Sequence, residues 1–335
     1  MAYIVKAIMK YCYNIVYSIS LLLIFTQSNA QVIDNTSSFK QSLGNKYFRF
    51  HYDNDYFTAT DQYYTQGITL EYAHPAIQKF FTSSLLVKPR HADIVYGFRF
   101  DNFGYTPTTI LSDTILHGDR PFCGDMSVST FAIAVDTLRT QIISSTFIIG
   151  LMGEGAGGRE FQTTIHKWTG NHIPQGWQYQ IRNDIILDYQ LNYEKNVWAY
   201  KNFFSLDATS ALKVGTHNDK VTSGFNFMVG NFNNRFASVA NTRPIRKKVQ
   251  YYFYAQLVGG IVGYDATLQG GLFNKTSPYT IPSSNISRFT SQYDYGFVVC
   301  FRKLYLEYTQ SYLTKEFSTG FDHRWGGIRI GFPLY

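Results

Sequence analysis

The chain is poor in cysteine, poor in charge and, beyond its first thirty residues, without any long apolar run. Its three cysteines in 335 residues, Cys12, Cys123 and Cys300, have no spacing that makes a disulfide framework or a zinc site. Past residue 30 no apolar stretch approaches the ~20 residues of a membrane-crossing helix. A Gly-x-Ser-x-Gly elbow, a paired-histidine zinc motif and a Walker loop are also absent. Any hydrolytic chemistry is thereby pushed toward a water activated by histidine rather than a serine nucleophile.

The first thirty residues have the layout of an export signal. Lys6 and Lys10 give a positive start, Ile15 to Phe25 an apolar centre, and Ser28-Asn29-Ala30 a small-residue cleavage site, so the mature protein is expected to begin at Gln31. A retained single anchor is the alternative, although Tyr17, Ser18 and Ser20 interrupt the apolar centre. Loss of the two lysines lowers the formal charge from +7 to about +5. That modest basic excess suits lipopolysaccharide phosphates or ordinary solvation equally, and export argues against nucleic acid as a partner.

What the chain has in abundance is rings: 27 Tyr and 28 Phe make it 18% aromatic against 16% charged, with a mean hydropathy of −0.17. Near-neutral hydropathy with many rings is what strands produce when one face meets lipid and the other water, with Tyr and Trp at both interfaces. The period of two recurs along the chain. Ile185, Leu187, Tyr189, Leu191 and Tyr193 alternate with Asp188, Gln190, Asn192 and Glu194, and similar runs begin near Phe48, Gln66, Ile94 and Phe131. Ile142 to Met152 is more continuously apolar. Further strands are expected over 203–214, 221–231, 249–264, 289–301, 304–312 and 325–335, the last ending on an aromatic. With no linker or low-complexity segment, residues 31–335 read as one all-β domain, an antiparallel transmembrane barrel of about twelve strands. The polar segment 31–45 is expected to be a short disordered or periplasmic lead-in.

Between Gly153 and Ile181 the alternation stops. Glu160 to Trp168 reads as a short helix on an extracellular loop, with Phe161, Ile165 and Trp168 on one face and Gln162 and His166 sharing another, one turn apart. Gly153-x-Gly155-x-x-Gly158 before it superficially matches a dinucleotide fingerprint. The antiparallel neighbours defeat that reading, leaving the glycines as sharp turns onto the barrel wall. The stretch Phe48 to Asp55 carries the most information: Phe48, Phe50 and Tyr52 share one face, Arg49, His51, Asp53 and Asp55 the other, and the apolar row ends on Asn54. An Asn beside an Asp at a strand tip forms turns readily, and a lone loop histidine is often only solvated.

Taken in order, Asn54-Asp55, Asp61 to Gly67, Tyr105-Thr106-Pro107-Thr108, Asp119-Arg120-Pro121-Phe122, Gly157-Gly158-x-x-x-Gln162-x-x-x-His166, Thr267 to Gly270 and Thr314 to Gly320 resemble the outer-membrane lipid A 3′-O-deacylase family. The resemblance spans nearly all of the mature chain. It implies a twelve-stranded barrel in the bacterial outer membrane, expected to be a monomer, with its active site between the outer wall and a loop helix where lipid A enters sideways. Carried over residue by residue, His166 is the catalytic base, Gln162 the helix glutamine, Asn54 and Asp55 the strand-tip pair, and Thr65 the small hydroxyl. The implied reaction is calcium-dependent ester hydrolysis, and Asp55 and Asn54 offer the oxygen ligands that a hard cation takes. For Thr65 to reach that site its strand needs a bulge, which Gly67 permits.

The chain departs from the family in two places. Thr109-Ile110-Leu111-Ser112 lacks a Lys-Arg pair, for which Arg120, Arg159 or Lys167 are the candidate replacements, and His172 stands where a glutamate is expected. Two other readings stay open: a non-enzymatic channel or structural barrel with an incidental His166, and a barrel phospholipase using the same histidine and calcium logic.

Overall fold

The computed structural model describes residues 37–40, 43–58, 62–236, 249–301 and 304–334. The expected export signal, the expected start at Gln31, Asp61 and Tyr335 lie outside them. Twelve strands run in chain order: β1 (Tyr47–Asn54), β2 (Tyr63–Ala73), β3 (Asp93–Thr106), β4 (Cys123–Asp136), β5 (Gln141–Met152), β6 (Asp184–Tyr200), β7 (Phe204–Gly215), β8 (Asn218–Asn231), β9 (Val249–Asp265), β10 (Phe289–Phe301), β11 (Leu304–Leu313) and β12 (His323–Pro333). Each pairs antiparallel with its sequence neighbours, and β1 closes on β12 from Tyr47↔Pro333 to Asn54↔Gly326. Closure satisfies the edge N–H and C=O groups that a lipid environment would leave orphaned. Among the described residues no helix is long and apolar enough to cross a membrane.

The side chains follow the period of two. Along β9, Tyr251, Phe253, Leu257 and Ile261 face outward and exposed, while Gln250, Tyr252, Tyr254 and Gln256 are buried inside. Along β1, Arg49, His51 and Asp53 are buried inward, whereas Phe48 is exposed and Phe50, Tyr52 and Asn54 are partly so. A polar interior surrounded by apolar rings is the pattern of a lipid-embedded barrel.

Charge pairs fill the lumen. Arg49 donates to Glu71 at 2.6 Å. Arg99 donates to Asp101 at 2.7 Å, and the other Asp101 oxygen accepts from Thr69. Glu307 accepts from Arg329 and Tyr305, each at 2.5 Å, and from Tyr254. Buried charges are tolerated only when paired and hydrogen-bonded in this way.

The segment before β1 differs from the expected disordered or periplasmic lead-in. Its described part forms a 3₁₀ turn, Ser38–Lys40, and Phe39 and Lys40 are buried inside the barrel. Phe39 stacks on Tyr254 with ring centroids 4.3 Å apart, and its carbonyl accepts from the Tyr252 hydroxyl at 2.8 Å. The Lys40 carbonyl accepts from Arg49. Polarity suggested solvent, but a single phenyl ring with paired flanking carbonyls is enough to seat the segment.

Glu307→Leu would remove the one carboxylate that Arg329, Tyr254 and Tyr305 share. Stability should fall by about 3–5 kcal/mol, the scale of breaking a buried pair, read as an earlier midpoint in urea. Adding Arg329→Met should recover most of it.

Candidate functional site

The loop between β5 and β6 lies down on the outer wall because glycines let two backbones touch. Gly153 (φ +93°) turns the chain as β5 ends, and its N–H donates to the Gly124 carbonyl of β4 at 2.8 Å. Gly157 (φ +73°) then opens helix α1, Gly158–Thr169. A Cβ on Gly124 would come within 3.2 Å of the Gly158 nitrogen. A Cβ on Gly158 would in turn meet the Trp177 ring at 2.9 Å, so the last glycine of the Gly-x-Gly-x-x-Gly run allows the close approach. Asn102 on β3 ties the loop down, donating to the Ala156 carbonyl at 3.0 Å. The helix begins two residues before the expected Glu160 and carries Phe161, Ile165 and Trp168 at the expected one-face spacing, with Trp168 84% exposed.

Seated there, α1 presents Gln162 to β2. Gln162 is buried, and its Nε2 lies 3.4 Å from the Thr65 hydroxyl. Thr65 reaches this point through a β-bulge: the β2–β3 register shifts between Tyr64↔Tyr105 and Gln66↔Gly104. The extra residue turns Thr65 out of strict alternation. Asn54, at the outward-facing end of β1, donates from Nδ2 to the Thr65 carbonyl at 2.7 Å, and its Oδ1 accepts from the Tyr56 N–H at 2.8 Å. Asp55 opens the 3₁₀ turn Asp55–Thr58, is buried, and accepts the Gln62 N–H on Oδ2 at 2.8 Å. Phe57 of the same turn covers Gly326, where a Cβ would clash with it. Hydrogen bonds thus link Asn54, Thr65 and Gln162 directly, and Asp55 adjoins them through the chain.

His166 follows Gln162 by one helical turn. Its Nδ1 lies 2.6 Å from the His172 backbone carbonyl. A carbonyl only accepts, so Nδ1 carries the proton and the Nε2 lone pair is left to take one. The contact has a local cause: Gly170 ends the helix with φ +72°, Asn171 N–H returns to the His166 carbonyl at 2.9 Å, and the chain reverses beside the imidazole. The orienting role expected of a glutamate side chain is filled here by main chain.

The three candidate cations differ in availability. Arg120 is buried and committed, donating to Glu316 and, at 2.6 Å, to the Thr267 hydroxyl, with its guanidinium 4.5 Å from the Tyr105 ring centroid. Burial pushes the Glu316 carboxyl up to about 7, against the pull of Arg120. Arg120 therefore stands corrected as a phosphate ligand, because its charge is needed inside the mouth of the barrel. Arg159 and Lys167 are exposed on α1. Ile110, in the stretch that lacks basic residues, is buried against Phe122 and Trp177. Trp177 escaped the sequence reading; its signal was a Gly-Trp pair in an otherwise polar, non-periodic loop. Among the described residues no group of three or more His, Cys, Asp or Glu could hold a metal. Asp55 and Asn54 supply hard oxygen donors, and the Asn54 oxygen already accepts one backbone N–H.

A family model described as "Outer membrane protein LpxR" matches residues 16–334. Among solved structures, LpxR from Salmonella typhimurium superposes with a TM-score of 0.69 at 18% identity, over 86% of this chain and 100% of that one. The β domain of the Bordetella autotransporter BrkA gives 0.44 at 8% identity, over 87% and 100% of the two chains. A NanC porin gives 0.38 at 8%, over 86% and 100%. No curated protein matches the sequence.

If the Gly124–Gly158 contact seats the helix, Gly124→Val should lift α1 while leaving the barrel closed. Hydrogen exchange should then accelerate across Gly158–Thr169 with the strand amides still protected.

Proposed function

The chain belongs to the LpxR family of outer-membrane proteins, and from that premise we propose that it hydrolyses an ester-linked acyl chain of lipid A, the 3′-O-linked chain, in the outer leaflet of the outer membrane. One observation carries the reading. The polar groups of Asn54, Thr65 and Gln162 converge on the outside of the barrel wall beneath a loop helix, where a lipid and not a solute is the neighbour. A lumen filled with ion pairs gives the channel alternative nothing in its favour.

His166 is the general base. With Nδ1–H held by the His172 carbonyl, Nε2 accepts a proton from water as the water oxygen bonds to the ester carbonyl carbon. When the carbon–oxygen bond to the sugar breaks, the imidazolium returns that proton to the departing alkoxide, so the products are a fatty acid and a free hydroxyl. Asp55 and Asn54 are the residues that would hold Ca²⁺, together with water and neighbouring oxygens. Bound there, the cation supplies positive charge to the ester carbonyl oxygen. Arg159 and Lys167, exposed on α1, are the basic residues available to substrate phosphates.

Mass spectrometry of lipid A from cells with and without the protein tests the activity: loss of one ester-linked chain is expected, and cleavage of phospholipid alone would move the reading to a barrel phospholipase. His166→Ala should keep the folded barrel and lose about two or more orders of magnitude in turnover. His172→Ala should stay within a few-fold of wild type, because the orienting oxygen is backbone. Chelation should abolish deacylation and calcium restore it, while Asp55→Ala should no longer respond to calcium; full activity in excess chelator would remove the cation from the mechanism.

A further inference from the structure

The indole of Trp177 has a polar role in addition to its packing. It is buried against Phe122, ring centroids 4.9 Å apart, in a pocket completed by Ile110, and a phenyl ring would satisfy that apolar pocket. The ring nitrogen is what a phenyl lacks. Nε1–H lies 2.8 Å from Gln162, and an indole N–H can only donate, so the Gln162 atom facing it is Oε1. The two ends of an amide are otherwise hard to tell apart, and here the indole decides between them. The Gln162 NH₂ must then face Thr65, whose hydroxyl oxygen lies 3.4 Å from Nε2. Since an NH₂ group donates, the Thr65 oxygen accepts, and the hydroxyl proton of Thr65 is not spent on Gln162.

Hydrogen bonds therefore run in one direction, from Trp177 through Gln162 to Thr65, along three side chains that are each at most 4% exposed. In such surroundings a chain of hydrogen bonds polarises each member in the same sense. The last member is an O–H held in place by the bulge and by Asn54, which donates to the Thr65 carbonyl. Resting on the deacylase reading, the geometry points to Trp177 as a positioning residue that, acting through Gln162, keeps the Thr65 hydroxyl a donor to the ester carbonyl oxygen as it gains negative charge. A donor aimed where charge develops contributes to turnover more than to substrate binding.

The test is steady-state deacylation of lipid A in detergent by the full-length protein and four variants. Thr65→Val should lower kcat by about 10²–10³-fold with little change in KM, the loss seen when one oxyanion donor is removed. Gln162→Glu offers two acceptors and would draw the Thr65 proton inward, so it should fall as far as Thr65→Val. Trp177→Phe should lower kcat by about tenfold, the order of one lost hydrogen bond. In the Thr65→Val background it should cost nothing further, because the two residues act through one donor. A purely structural tryptophan would instead speed hydrogen exchange in Gly158–Thr169 and multiply its loss with that of Thr65→Val. If Trp177→Phe loosens the helix, Gln162→Glu decides with the indole in place. Equal losses for Trp177→Phe in both backgrounds, or near-wild-type kcat for Gln162→Glu, would overturn the relay while leaving the deacylase reading intact. A wild-type protein that releases no acyl chain would overturn both.

Discussion

Everything described here depends on closure of the strand ladder. In hydrocarbon an unpaired backbone group costs several kcal/mol, and the pairing of β1 with β12 removes the two edges that twelve strands would otherwise expose. Closure also sorts the side chains. Once no edge is free, each residue faces either lipid or lumen, and the ring-rich rows outside and the Arg–Glu and Arg–Asp pairs inside follow from that division. The ion pairs stabilise the lumen only as pairs, which makes the interior hard to alter one residue at a time.

A polar cluster on the lipid side of such a wall runs against this sorting, and the structure compensates by covering it. Gly124 and Gly158 let α1 approach the wall to backbone contact, and Gly326 lets Phe57 lie over the wall on the other flank. Between these covers, Asn54 and Gln162 both donate to Thr65, one to its carbonyl and one to its hydroxyl oxygen. Their partners are a bulge carbonyl, a turn N–H and an indole, so the cluster is held by irregular backbone as much as by side chains. The site exists because the regular ladder is interrupted in a few places.

His166 illustrates how such a scaffold tolerates change. An imidazole needs one nitrogen anchored if the other is to act as a base, and any acceptor in reach can provide the anchor. Here a left-handed Gly170 reverses the chain and supplies a carbonyl, so a histidine can stand at position 172 without loss of orientation. A carbonyl anchors the tautomer but brings no negative charge, and that separates this site chemically from one built with a glutamate.

The sequence by itself determined the barrel. Alternation in runs such as Ile185–Tyr193 has only one reading in lipid, and the expected strands over 249–264 and 289–301 fall on β9 and β10. It also brought Gln162 and His166 to one helix face, and it required a bulge for Thr65 to leave its row, because both are consequences of local period. Tertiary structure decided what local period cannot encode. The described part of the polar lead-in entered the lumen because one ring, Phe39, found Tyr254 more than two hundred positions away, and Arg120 was taken from the candidate site by Glu316. The His172 carbonyl and the Trp177 indole remained invisible for a related reason: a main-chain oxygen has no letter in the sequence, and a donor matters only once an acceptor has been folded against it.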